Sequence, residues 1–169
     1  MKMNRRNAEA SLKAVALLLL VGGVAGVAIG IWAAIKVIRE GSSNSALAVI
    51  GCIVLAFGLC VWTGTELWQK KRRAYRWAQI LLLAQIPDLS FPGFAYQFYT
   101  GLTLCLAWMR ETSSTVGFQF ELGSAIKFRI SSEIESFVWG VNIVAILALY
   151  LLERSRGAFE PQVESAPSR

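Results

Sequence analysis

The chain has 169 residues, of which 55% are hydrophobic and only 17% charged, with a mean hydropathy of +0.50. A soluble domain of this length does not need such long uncharged runs, so composition points to an integral membrane protein. The formal net charge is +6, but the basic residues gather at the ends of apolar runs, a pattern of membrane orientation that argues against nucleic acid as a partner.

Residues 1–13 form a basic start, with Lys2, Arg5, Arg6 and Lys13 against Glu9. The run 14–38 follows, with Lys36 near its far end, and predicts a first span. A basic start before an apolar run also resembles a secretory signal, but the run exceeds the usual apolar region of one, which favours an uncleaved anchor. Gly22, Gly26 and Gly30 fall four apart on one helical face. Bare backbone there lets another helix approach closely, either within the chain or in a homo-oligomer.

Residues 40–45 read as a turn, and 46–68 as a second span ending in Trp62 and Trp68. Glu66, in its last turn, suits a surface ion pair with Lys70. Lys70, Lys71, Arg72, Arg73 and Arg76 then form a cluster without an acid, fitted to orient the protein and to meet anionic lipid head groups.

The stretch 77–109 is apolar but too long for one simple span, and Pro87, Asp88, Pro92 and Gly93 interrupt it. Proline lacks the N–H a helix needs and clashes with the preceding turn. The expectation is two half-helices, 77–86 and 94–109, joined by an unwound segment near 87–93. The competing reading is a kinked helix with Asp88 near an interface. In the first, Asp88 is an ionisable group at membrane depth, with Gln85, Ser90, Tyr96, Gln97 and Tyr99 along the same path.

Residues 110–133 form the sizeable polar loop. Within it, 116–130 alternates apolar and polar positions with the period of a strand. Pairing Leu122 with Ile126, Phe120 with Phe128 and Phe118 with Ile130 gathers the large apolar groups on one side. It sets Glu121 opposite Lys127 and Gln119 opposite Arg129, and predicts a hairpin that serves as a lid or a partner-binding edge. A last span is expected over 134–152, with Asn142 seeking a hydrogen bond from another helix. Residues 153–169 read as a polar tail.

The sequence thus predicts an all-α membrane protein: a four-span helical bundle over 14–152, with an interrupted third span and an extracytoplasmic β-hairpin. Charge asymmetry places both termini in the cytoplasm of a bacterial inner membrane or plasma membrane. With no histidine and no Cys-x-x-Cys, a histidine metal site, a Ser-His-Asp triad and a redox pair are ruled out. No metal, cofactor or catalytic residue is expected. Cys52, Cys60 and Cys105 lie in apolar runs and read as small hydrophobes. The functional expectation is a non-catalytic structural or partner-binding component of a membrane complex, with the lipid bilayer and a membrane protein or second copy as partners. The alternative is a small transporter, channel or lipid-handling protein built around Asp88.

Overall fold

The computed structural model describes residues 5–41, 44–110, 114–131 and 137–159. Two long helices form first: α1, Arg5–Arg39, and α2, Asn44–Trp68. At ~1.5 Å per residue they reach roughly 52 and 37 Å, enough to cross a ~30 Å hydrocarbon core. Only 39% and 17% of their most apolar stretches are buried, so they are not the core helices of a soluble fold. Val21, Ile29, Ile31, Trp32 and Leu55 all point outward. The chain is a membrane protein with two candidate spanning helices.

The expected third and fourth spans are not there. Helix α3 covers only Arg72–Ala84 and α4 only Ile143–Arg154, about 20 and 18 Å of helix, too short to cross alone. Helix α4 packs on α1, and α3 packs on α2 and α4. Leu12, Val15, Ala16 and Leu19 meet Leu67 of α2, Ala74, Ala78 and Leu82 of α3, and Ala148 and Leu152 of α4 in one buried cluster. The small residues of α3 recur four apart, which lets its backbone approach.

Pro87 does stop the helix, but the chain continues as strand rather than as a second half-helix. The strands are β1 (Pro87–Phe91), β2 (Gly93–Tyr99), β3 (Leu102–Arg110), β4 (Ser114–Leu122), β5 (Ala125–Ser131) and β6 (Phe137–Asn142). A proline is tolerated as the first residue of a strand, where its missing N–H breaks no ladder. The fold is therefore not all-α: four helices stand beside a six-stranded antiparallel sheet, ordered β4-β3-β6-β1-β2-β5. The expected span 134–152 is in its described part strand β6 followed by α4.

The expected hairpin is also re-paired. Strands β4 and β5 do not face each other: Phe120 lies opposite Leu104, Phe118 opposite Leu106 and Leu122 opposite Leu102, while Phe128 lies opposite Tyr96. Tyr99 pairs with Ala125 and Leu102 with Leu122, so the same register runs through β2–β3 and β4–β5. The two form one long ribbon, bent once. Gly101 (φ 77°) and Gly123 (φ 140°) make the bend, in a backbone region that only glycine enters freely. The Gly123 N–H donates to the Gly101 carbonyl across it, at 2.8 Å.

The bend sends the two halves to different neighbours. Strand β2 pairs with β1, β3 pairs with β6, and β1 and β6 pair with each other. The sheet therefore curls back on itself, and among the described residues one bent strand, β4–β5, forms its free edge. Its bend rests on α1. Ser124 Oγ donates to the Gly22 carbonyl at 2.6 Å and accepts from the Gly101 N–H at 3.1 Å. A second apolar cluster, Phe57, Cys60, Leu81 and Phe98 with Val27, Ile53, Tyr96 and Ile126 around it, fixes the sheet to the paired long helices.

Candidate functional site

Alternation along each strand, read through the register, divides the sheet into two chemically opposite faces. The outer face carries Leu89, Phe91, Phe94, Tyr96, Leu102, Leu104, Leu106, Trp108, Trp139 and Val141. On β4 it continues with Phe118, Phe120 and Leu122, exposed at 73%, 65% and 81%. The inner face carries Asp88, Ser90, Gln97, Tyr99, Thr103, Cys105, Gln119, Glu121, Lys127 and Asn142. Among the strand side chains described, the charged ones, Asp88, Glu121 and Lys127, all fall on this inner face.

Asp88 lies at the centre of it. Gln97, its direct neighbour on β2, donates from Nε2 to Oδ2 at 3.1 Å, and the Cys105 thiol donates to the same oxygen at 3.4 Å. Gly140 on β6 lies between Asp88 and Ala107 in the ladder. A Cβ there would stand 2.7 Å from Cys105 Sγ, so this glycine leaves the thiol free to lean over β6 toward the carboxylate. Toward the bend, Tyr99 Oη and Gln119 Nε2 both donate to Glu121.

The floor of this face is the helix–sheet junction. Gln85 ends α3 and accepts from both the N–H and the hydroxyl of Thr100, at 3.2 and 3.0 Å. Asn142 begins α4 and caps it, with Oδ1 accepting from the N–H groups of Val144 and Ala145 at 3.0 and 3.3 Å. Its bond is to its own helix, not to another as expected from the sequence. In both amides the oxygen is fixed by backbone donors, so the nitrogen is fixed too. Gln85 Nε2 and Asn142 Nδ2 are buried and without an acceptor among the described residues. Unpaired donors of this kind are uncommon in protein interiors and mark places where water or a ligand oxygen fits.

The seven polar residues singled out in the sequence thus separate. Asp88, Gln97, Tyr99, Ser90 and Asn142 share the inner face, with Gln85 at its floor. Tyr96 points the other way and donates to the Ala84 carbonyl at 2.8 Å. Cys105, Glu121, Gln119 and Lys127 belong to the same face and were not grouped with Asp88. The alternation of β3, Leu-Thr-Leu-Cys-Leu-Ala-Trp-Met, was the available signal.

Gly22, Gly26 and Gly30 of α1 meet three different neighbours. A Cβ at Gly22 would lie 2.4 Å from the Gly101 nitrogen, one at Gly26 2.3 Å from the Phe57 ring, and one at Gly30 2.5 Å from a Val54 methyl. Gly22 therefore faces the sheet, while the other two face α2.

The basic cluster also divides. Glu66 accepts from Lys71 at 2.6 Å and from Arg73 Nε at 2.5 Å, and Lys70 pairs with Glu9 at 2.8 Å. Arg72 and Arg76 instead line a pocket of about 410 Å³ with Tyr75, Gln79, Glu153, Arg156 and Phe159. Lys13 stacks over Trp68 at 5.5 Å, so the start of α1, the basic turn and the end of α4 share one end of the molecule.

A family model described as the T cell CD4 receptor C terminal region matches residues 47–84. That stretch is most of α2, the basic turn and α3, less than a quarter of the chain. No curated protein and no solved structure matches the chain.

Proposed function

We propose that this protein is a non-catalytic component of a membrane complex, and that its sheet is completed by another polypeptide within the bilayer. The observation that carries this reading is the free edge of β4–β5 beside an apolar outer face. From Gly22 to Lys36, α1 rises about 21 Å, and the seven residues of β2 extend about 23 Å. A sheet standing on Gly22 thus lies level with the lipid-facing residues of α1 and α2, and the part of its outer face not packed on the helices through Tyr96, Phe98 and Ile126 suits lipid. Its edge does not. Backbone N–H and C=O groups left unpaired in hydrocarbon are each worth several kcal/mol, which is why sheets in membranes are closed. A second copy or a partner strand along 114–131 removes that penalty. Positive charge at the end holding Lys13, Lys70, Lys71 and Arg154 orients that end to the cytoplasm of a bacterial inner membrane or plasma membrane, both termini with it.

Hydrogen exchange in lipid nanodiscs, with native mass spectrometry from mild detergent, tests the reading. Protected amides through 116–127 and a mass above the 18.6 kDa of one chain are expected. A monomer whose edge amides exchange freely would sink it.

The inner face supports a second reading, transport or lipid handling around Asp88. The specific observation is the pair of buried amide donors, Gln85 Nε2 and Asn142 Nδ2, without acceptors among the described residues and below a polar surface. Such a floor suits a solute or head group bearing oxygen acceptors. A co-purifying small molecule that is lost on Gln85→Leu would favour this reading over the first. Its retention in that variant would count against it.

A further inference from the structure

We propose that the pocket between α3 and the end of α4 binds a phosphate group, supplied by an anionic phospholipid whose head reaches the basic end of the molecule. Arg72, Tyr75, Arg76 and Gln79 recur at three- and four-residue steps and so form one stripe along α3. Facing them are Glu153 from α4 and Arg156 from the 3-10 turn Arg156–Phe159. The Phe159 ring closes one side against Tyr75, edge to face at 5.6 Å.

The charges around this pocket differ from their neighbours. Lys70, Lys71 and Arg73 are each tied to a glutamate. Among the described residues, Arg72, Arg76 and Arg156 have no ion-pair partner. Glu153, the pocket's one acid, is engaged by Gln79. Three guanidiniums against one carboxylate leave an excess of two positive charges in a concave site, where planar N–H forks match phosphate oxygens. The buried Tyr75 hydroxyl lies beside the Glu153 carboxylate at the wall of this pocket. Burial, and then Glu153 beside it, push its pKa up to about 12, so it stays a protonated donor. This site is separate from the sheet edge and stands or falls without it.

The test uses the full chain in detergent with native mass spectrometry, titrating phosphatidylglycerol against phosphatidylcholine of the same acyl chains. A parallel titration uses inorganic phosphate alone. Phosphatidylglycerol is expected to be retained at least tenfold better, and Arg76→Gln and Arg156→Gln each to lower its retention by about tenfold, the scale of one charge-assisted hydrogen bond. Arg154→Gln removes the same charge two residues away, where Arg154 stacks on Tyr150 instead of lining the pocket, and should leave retention unchanged. Glu153→Gln should raise it. Inorganic phosphate displacing the lipid with the same arginine dependence would uphold the phosphate site and assign its source to solution. Equal losses in Arg154→Gln and Arg156→Gln would show only a net-charge effect and overturn the proposal. So would equal retention of both lipids. Melting curves of each variant separate loss of the site from loss of the fold.

Discussion

The paired long helices and the curled sheet are built from the same apolar residue types, yet they use them in opposite ways. Helices α1 and α2 show apolar side chains on most of their circumference, because each helix satisfies its own backbone and needs only a compatible solvent. The sheet concentrates its apolar residues on one face and its polar ones on the other, and satisfies its backbone only where a neighbouring strand is present. The helix pair is therefore complete as it stands, while the sheet ends on a free edge. Of the two regions, the sheet is the one whose structure calls for something more.

The joint between the regions is where the comparison breaks most readily. Gly22 lets the bend of the sheet rest on α1, and the atoms a side chain would strike, Gly101 N at 2.4 Å and Thr100 C at 2.5 Å, are backbone. Overpacking commonly destabilises by 1–3 kcal/mol where side chains can shift. Gly22→Leu meets main chain instead, and is expected to lower stability by about 3 kcal/mol or more, or to abolish folding. Val21→Leu, on the exposed side of the same helix, should be nearly silent. Thermal unfolding in detergent checks both. Equal effects would show that the sheet does not depend on that close approach.

The helices were legible because hydropathy reports the solvent a segment prefers. It does not report conformation. The stretch 77–109 is long and rich in apolar residues without matching the hydropathy of α1 and α2, and reading it as a whole hides the two-residue period that separates Thr103 and Cys105 from Leu102, Leu104 and Leu106. Pro87 correctly marks the end of α3; nothing local says that a strand follows. The period of 116–130 was readable, and these residues do form strands. Their partners were not, since a strand joined to the next by the three residues Gly123, Ser124 and Ala125 is most simply paired with it. Here Gly101 and Gly123 bend both strands together, and pairing follows β2 and β3 instead. Of the inner face, Asp88 with Gln97 and Tyr99 was legible as polar residues in an apolar run. Cys105 and Glu121 join them only through long-range pairing.

Face segregation gives a sharper test. Phe120 and Gln119 are adjacent in β4 but point to opposite faces. If the outer face meets lipid, Phe120→Lys places an ammonium group in hydrocarbon and should reduce stability in a bilayer by about 2 kcal/mol, on the scale measured for strands in membranes. Gln119→Lys puts the same charge beside Glu121 and should change stability by less than about 1 kcal/mol. Denaturant titrations in lipid vesicles give both values. Similar effects at the two positions would mean that both faces meet water, and the sheet would then stand outside the bilayer.

The smallest expected effect lies at Asn142, where sheet becomes helix. Its oxygen caps α4 by accepting from Val144 and Ala145, its own N–H donates to the Ile86 carbonyl at 2.8 Å, and its amide nitrogen has no acceptor among the described residues. Asn142→Ala removes the cap and should lower stability by about 1 kcal/mol. Asn142→Ser keeps an acceptor for the first turn and deletes the unpaired donor, so it should remain within about 0.5 kcal/mol of the natural chain. The serine variant thus separates two roles that the asparagine combines. If Asn142 serves the fold alone, Asn142→Ser behaves like the natural protein in every measurement. If Nδ2 meets a solute oxygen at the floor of the inner face, Asn142→Ser keeps its melting temperature and loses any molecule that co-purifies with the natural chain. Should serine prove as destabilising as alanine, the cap is not what position 142 contributes, and the strand–helix junction must be held by the Ile86 contact and its surrounding packing.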